Sequence, residues 1–151
     1  MIAKVLVLLT IVATGCGENA TGSADATQDV DIVRPGIIRY SDLGGPEDVL
    51  ELPSTMHANE SFPITVVTYG GGCETAESME VSAAGDGADL RPFDRTFIPA
   101  GNGCAAAIFF LEHHASLQFE TPGIKTLTVF GRRVTPQIDE ATQIEVTILV
   151  E

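Results

Sequence analysis

The strongest constraint on this chain is a period-two alternation of apolar residues that recurs along most of its length. In residues 61–69, Phe62, Ile64 and Val66 fall on one face, and Thr65, Val67 and Tyr69 on the other. Near the end, Ile144, Val146, Ile148 and Val150 alternate with Glu145, Thr147 and Leu149. Ile124, Thr126 and Thr128 alternate with Leu127 and Val129, and Met79, Val81 and Ala83 with Glu80 and Ser82. Successive side chains of a strand leave opposite faces, so this is the pattern of half-buried β-strands. No long helical periodicity and no internal repeat competes with it. Shorter pieces read the same way: Ile37, Ile38 and Tyr40, then residues 49–52 stopped by Pro53, then residues 90–98 interrupted at Pro92. Residues 105–111 are continuously apolar, which fits a fully buried strand or a short helix. Leu117 and Phe119 read as the opening of a further strand. Turn signals punctuate these segments at residues 43–46, 86–87, 99–103 and 121–123. Seven or eight short strands with such turns predict an all-β, antiparallel β-sandwich.

The stretch Leu117-Gln118-Phe119-Glu120-Thr121-Pro122-Gly123-Ile124-Lys125-Thr126-Leu127-Thr128-Val129 resembles a hairpin of bacterial immunoglobulin-like domains. In those, an apolar strand turns at Pro-Gly into an alternating one. Residues 59–66, a polar turn followed by an apolar alternation, are similar to the second strand of such domains. The resemblance spans residues 50–150 and implies an immunoglobulin-like sandwich of about seven to eight strands. It implies little about function, since one fold carries many functions. The chain departs from antibody-type domains in having no Trp to pack against a bridge.

The first sixteen residues address the protein rather than fold it. Met1-Ile2-Ala3-Lys4 is a short basic start, and an apolar run to Ala13 leads into Thr14-Gly15-Cys16. The run is too short for a membrane span, which needs about 20 residues, and has the length of an export signal. With Gly15 before the cysteine it resembles a bacterial lipoprotein signal, although Ala13 stands where Leu is usual. That resemblance implies cleavage of residues 1–15 and a lipid on Cys16. Ordinary signal cleavage and plain secretion is the alternative. Gly17, rather than Asp, follows the cysteine and favours the outer membrane in a host that has one. Residues 16–36 then read as the lipidated Cys16 and a flexible tether of small and polar residues. The β-sandwich domain is expected over residues 37–151.

The formal net charge of −13 becomes −14 once the leader, with Lys4 and no acid, is removed. Such a surface keeps a domain soluble and self-repelling. It offers no basic footprint for nucleic acid. With Cys16 taken by lipid, Cys73 and Cys104 remain, and an exported chain is expected to pair them. They lack the Cys-x-x-Cys spacing of a redox pair.

Candidate chemistry is sparse. His113-His114 is the most tempting pair, with His57 and Glu112 as conceivable helpers. Neighbours on a strand face opposite ways, although in a turn they could converge, and a zinc site wants three or four ligands. The pair is expected to be turn or edge residues near Ala115. Asp86 and Asp89 are too few for a calcium loop. Asp94 and Arg95 read as a surface pair or solvated edge charges, and Arg132-Arg133 as the end of a strand rather than a dock for an acidic partner. No nucleophile elbow and no phosphate loop occurs. The expected function is therefore a non-enzymatic, cell-envelope binding or structural module with no cofactor. Its partners would be the membrane, through the anchor, and a protein or glycan. Contact loops are expected around Gly71, Gly72, Asn102, His113 and His114. The alternatives are a small exported metal-binding protein or enzyme using His113 and His114, and an inhibitor or accessory subunit of a secreted partner.

Overall fold

The computed structural model describes residues 28–41 and 46–151. The leader, Cys16, most of the tether and most of the turn at residues 43–46 lie outside the described residues. Nine strands occur among the described ones: β1 (Val30–Pro35), β2 (Ile37–Tyr40), β3 (Leu50–Glu51), β4 (Phe62–Gly70), β5 (Glu74–Ala84), β6 (Gly87–Ile98), β7 (Phe109–Leu117), β8 (Gly123–Val134) and β9 (Asp139–Val150). A single helical turn, α1 (Pro46–Val49), precedes β3. No helix among these residues is long and apolar enough to cross a membrane.

The chain is all-β, and its strands form one curled sheet in which several strands switch partners along their length. β6 pairs β5 along one edge; its other edge pairs β8 over Gly87 to Leu90 and then β1 over Phe93 to Ile98. β8 likewise pairs β9 on one edge, and β6 and then β2 on the other. β4 pairs β7 on one edge, and β3 and β2 on the other. β2 thus links β8 to β4 and carries the sheet around its curl. The antiparallel expectation holds for six pairings and fails for two, since β2–β8 and β6–β8 are parallel.

Pro92, which reads as an interruption, sits inside a continuous β6. The Gly36 N–H reaches the Pro92 carbonyl at 2.9 Å. N–H and C=O of one strand residue face the same edge, so the missing donor of Pro92 falls in the gap between β8 and β1. The ordered sheet also begins earlier than residue 37: β1 pairs β6 from Val30↔Ile98 onward. Its side chains are mostly exposed, so composition gives it the look of a tether. Two further boundaries move. Leu117 ends β7 rather than opening a strand. Residues 105–108 are neither strand nor helix, and the run from Ala105 to Phe110 is exposed rather than buried.

The alternating faces supply the core. Phe62, Ile64 and Val66 of β4, Leu90 of β6, Leu127 and Val129 of β8, and Ile144, Ile148 and Val150 of β9 pack together inside the curl. Each such side chain contributes roughly 1.5–3 kcal/mol when fully buried. The curl brings backbones very close at Gly131, where an added Cβ would lie 2.6 Å from the Gly36 carbonyl oxygen and 2.8 Å from Ile38 Cγ2. Gly131→Ala is therefore expected to cost about 1–3 kcal/mol through forced displacement of β2. A thermal melt matching that of wild type would show that β2 yields freely.

Candidate functional site

Two arrangements are chemically distinctive, one inside the curl and one on its outer side. The inner one starts from β4, whose inward row ends in Thr68 rather than another aliphatic residue. Thr68, Asp94 of β6 and His113 of β7 meet there, all buried. Thr68 donates its hydroxyl proton to Asp94 Oδ1 at 2.9 Å. His113 Nε2 lies 2.9 Å from the same oxygen and 3.1 Å from Thr68 Oγ1. His113 Nδ1 faces the Ser78 carbonyl at 3.1 Å.

These partners fix the ring's protons. A carbonyl only accepts, so Nδ1 carries a proton. Between Nε2 and the Asp94 carboxyl there must be another, because two facing acceptors do not bond. The pair thus shares one proton and is neutral overall, the form in which burial costs least. That the Ser78 carbonyl is turned toward the ring has a local cause. Ala76 pairs Asp94 and Ser78 pairs Phe93, so Glu77 is an extra residue that bulges β5. His113 therefore ties β7 to β5, two strands that share no ladder.

The outer arrangement is a cleft of about 470 Å³. Ile37 and Tyr40 come from β2, and Tyr69 and Gly70 from the end of β4. Gly71 and Glu74 form one wall, and residues 105–108 the other. Tyr69 packs on Tyr40 and on Phe110, with ring centroids 6.2 and 5.6 Å apart. Burial raises the Tyr69 phenol above its ordinary range, and the Asp48 carboxylate adds to this. The wall of residues 105–108 is held by the Cys73–Cys104 disulfide and by the Gly72 N–H on the Ala105 carbonyl at 3.3 Å. Gly72 is required there, since a Cβ would lie 2.6 Å from Ala105 Cβ.

Among the described residues, Glu74 is the one charged side chain lining the cleft. Burial pushes its carboxyl up, but the Gly71 N–H at 2.6 Å, Arg34 at 3.0 Å and the Thr96 hydroxyl at 3.1 Å together hold it below the ordinary carboxylate value. A carboxyl lowered on folding adds stability above its unfolded pKa and loses it as pH falls through the folded one. Glu74→Gln is thus expected to flatten the fall in stability below about pH 4.5, read by urea unfolding at several pH values. An unchanged acid limb would mean that Glu74 is not held in this way.

The residues singled out from sequence separate. Cys73 and Cys104 are bonded. Gly71 lines the cleft and Gly72 bonds its wall residue Ala105, whereas Asn102 is exposed in a loop. His113 and His114 lie in mid-strand and point apart. His113 is buried, and exposed His114 meets Thr65 Oγ1 at 3.0 Å and Glu112 at 3.4 Å. They do not converge on one ion. Among the described residues, no three His, Cys, Asp or Glu side chains gather as metal ligands. Asp94 is not a solvated edge charge but a buried acceptor; its neighbour Arg95 is the exposed one, forked onto Asp31 at 2.7 and 2.8 Å. Sequence reasoning places Tyr40 and Tyr69 in strands without assigning them to a site. The only local signal is the glycine run that follows Tyr69.

No family model, no curated protein and no solved structure matches this chain.

Proposed function

We propose that this protein is a cell-envelope lipoprotein, anchored through Cys16, whose single β domain is a binding module rather than an enzyme. The observation that carries the reading is the outer cleft, an open aromatic hollow whose wall is pinned by a disulfide. A wall fixed in advance loses little entropy when something docks, which is how a rigid module gains affinity. The disulfide also suits an oxidising, exported setting. Anchoring is supported by the leader and the position of Cys16, and Gly17 favours the outer membrane. A non-catalytic role is supported by His113 being bonded to internal partners with 3% of its surface exposed.

The finer architecture belongs to the same proposal. β5, β6, β8 and β9 serve as one layer and β3, β4 and β7 as the other, in an immunoglobulin-like sandwich with β2 bridging the layers.

Two measurements test the proposal. A radioactive fatty acid should label the wild type and not Cys16→Ser; labelling of neither would leave a secreted protein. A photocrosslinking residue at Ala106, in the cleft wall, should give adducts in intact envelopes that the same group at Thr147 does not. Indistinguishable yields would remove the cleft as the binding site.

A further inference from the structure

We infer that the surface around the cleft docks on the lipid bilayer itself, so that the domain lies against the membrane by its disulfide end. This inference rests on the anchoring proposed above and names the partner of that site. Its basis is a segment that breaks the charge pattern of the chain. From Thr96 to Leu111, sixteen consecutive residues carry no charge, in a protein of net charge −13. Within it Phe97, Ile108, Phe109 and Phe110 are exposed, Phe110 by 69%. Ile108 lines the cleft and Phe110 packs on Tyr69 of the same cleft, whereas Phe109 leaves the opposite face of β7. Exposed apolar side chains gathered at one cleft mark a contact with an apolar phase. Aromatic and aliphatic side chains placed at the boundary of headgroup and acyl chain are what an interfacial segment needs.

Two of the acids near this end are paired with arginines. Asp31 is held by the Arg95 fork, and Glu74 by Arg34. The Asp29 carboxylate accepts from the Ala100 N–H at 2.8 Å.

The second observation is where the chain leaves. β1 starts at Val30, opposite Ile98, and Asp29 bonds the loop that leads to Cys104. The path to the anchor thus emerges beside the uncharged segment. Cys16 precedes Gln28 by twelve residues. Even fully extended, these reach no more than about 40 Å. A tether of that length lets this end of the domain reach the acyl chains.

The chain has no Trp, so a single introduced indole reports alone. Full-length lipidated Phe110→Trp would be placed in phosphatidylethanolamine–phosphatidylglycerol vesicles containing lipids brominated high on the acyl chain. Leu149→Trp, exposed on β9, is the control, and Ile108→Trp repeats the test should Phe110→Trp not fold. Emission at residue 110 is expected to be blue-shifted and quenched at least about threefold more than at 149, at low and high salt alike, as for apolar insertion. Equal or absent quenching in protein that floats with the vesicles overturns the docking and leaves the anchor standing. A protein crosslinked at this face in place of quenching, a second copy included, overturns it as well. Failure to float removes the anchor and the docking with it.

Discussion

Asp94→Ala is expected to lower the unfolding free energy by about 1–3 kcal/mol, because it leaves the buried Thr68 hydroxyl and His113 Nε2 without their shared acceptor. The carboxylate takes bonds from both Thr68 and His113 through Oδ1. Without it, the His113 proton on Nε2 has only the Thr68 oxygen as a neighbour, and Thr68 loses its acceptor. Bulk solvent does not compensate, since Thr68, Asp94 and His113 are all buried. His113→Ala should cost a similar amount and, in addition, cut the tie to the Ser78 carbonyl. The double variant should cost clearly less than the two losses added, as for residues in one network. Replacing all three polar groups together, in Thr68→Val/Asp94→Leu/His113→Leu, should recover much of the loss, since an apolar trio leaves no buried polar side chain without a partner. Urea unfolding of the four variants gives the answer. A loss below about 1 kcal/mol for Asp94→Ala would mean that Thr68 and His113 find other partners.

The same cluster shows what sequence could and could not reveal. The inward row Phe62, Ile64 and Val66 was legible from the strand period, whereas the opposite facing of His113 and His114 followed only once Phe109–Leu117 proved to be one strand rather than a turn. The row depends only on neighbours along one strand. The meeting of His113 with Asp94, nineteen residues away, depends on how the sheet curls and on the bulge at Glu77. No local pattern encodes either one. β1 was hidden for a different reason. Its stability comes from backbone pairing with β6 and from the Arg95 fork, not from burial, so Val30, Ile32 and Val33 remain exposed among polar residues. Residues 105–110 failed in the opposite sense. A continuous apolar run reads as buried because most such runs are, yet this one is tied to the outside by a disulfide. Cys73 and Cys104 were legible as a pair only because the leader implied an oxidising compartment. Which elements the bridge would join, and that it would wall a cleft with Tyr40 and Tyr69, required the fold.

Cys73→Ala/Cys104→Ala is expected to cost roughly 3–4 kcal/mol from the chain-entropy gain of the unfolded state, given a sequence separation of 31. Its local consequence should be larger than the global figure suggests. Between the end of β6 and the start of β7, backbone bonds restrain the chain at few points. They include the Gly72 N–H on Ala105, the Ala100 N–H on Asp29 and a turn closed by the Asn102 N–H on Pro99. The side chains from Ala105 to Phe110 are exposed, and only at Phe109 and Phe110 does the chain join the β4 ladder, with Phe110 on Tyr69. With the bridge gone, this segment should open far more often than the ladders of β4 and β8. Chymotrypsin under native conditions should therefore cut near Phe109 and Phe110 at least about tenfold faster in the double variant, while the body of the sheet stays protected. The photocrosslinks from Ala106 should fall in parallel, because the wall that shapes the cleft no longer holds its position. If cleavage accelerates uniformly across the domain instead, the bridge supports the whole sheet and has no special hold on the cleft. If neither cleavage nor stability changes, the segment is kept in place by contacts other than the disulfide, and pre-formation of the site cannot be credited to it.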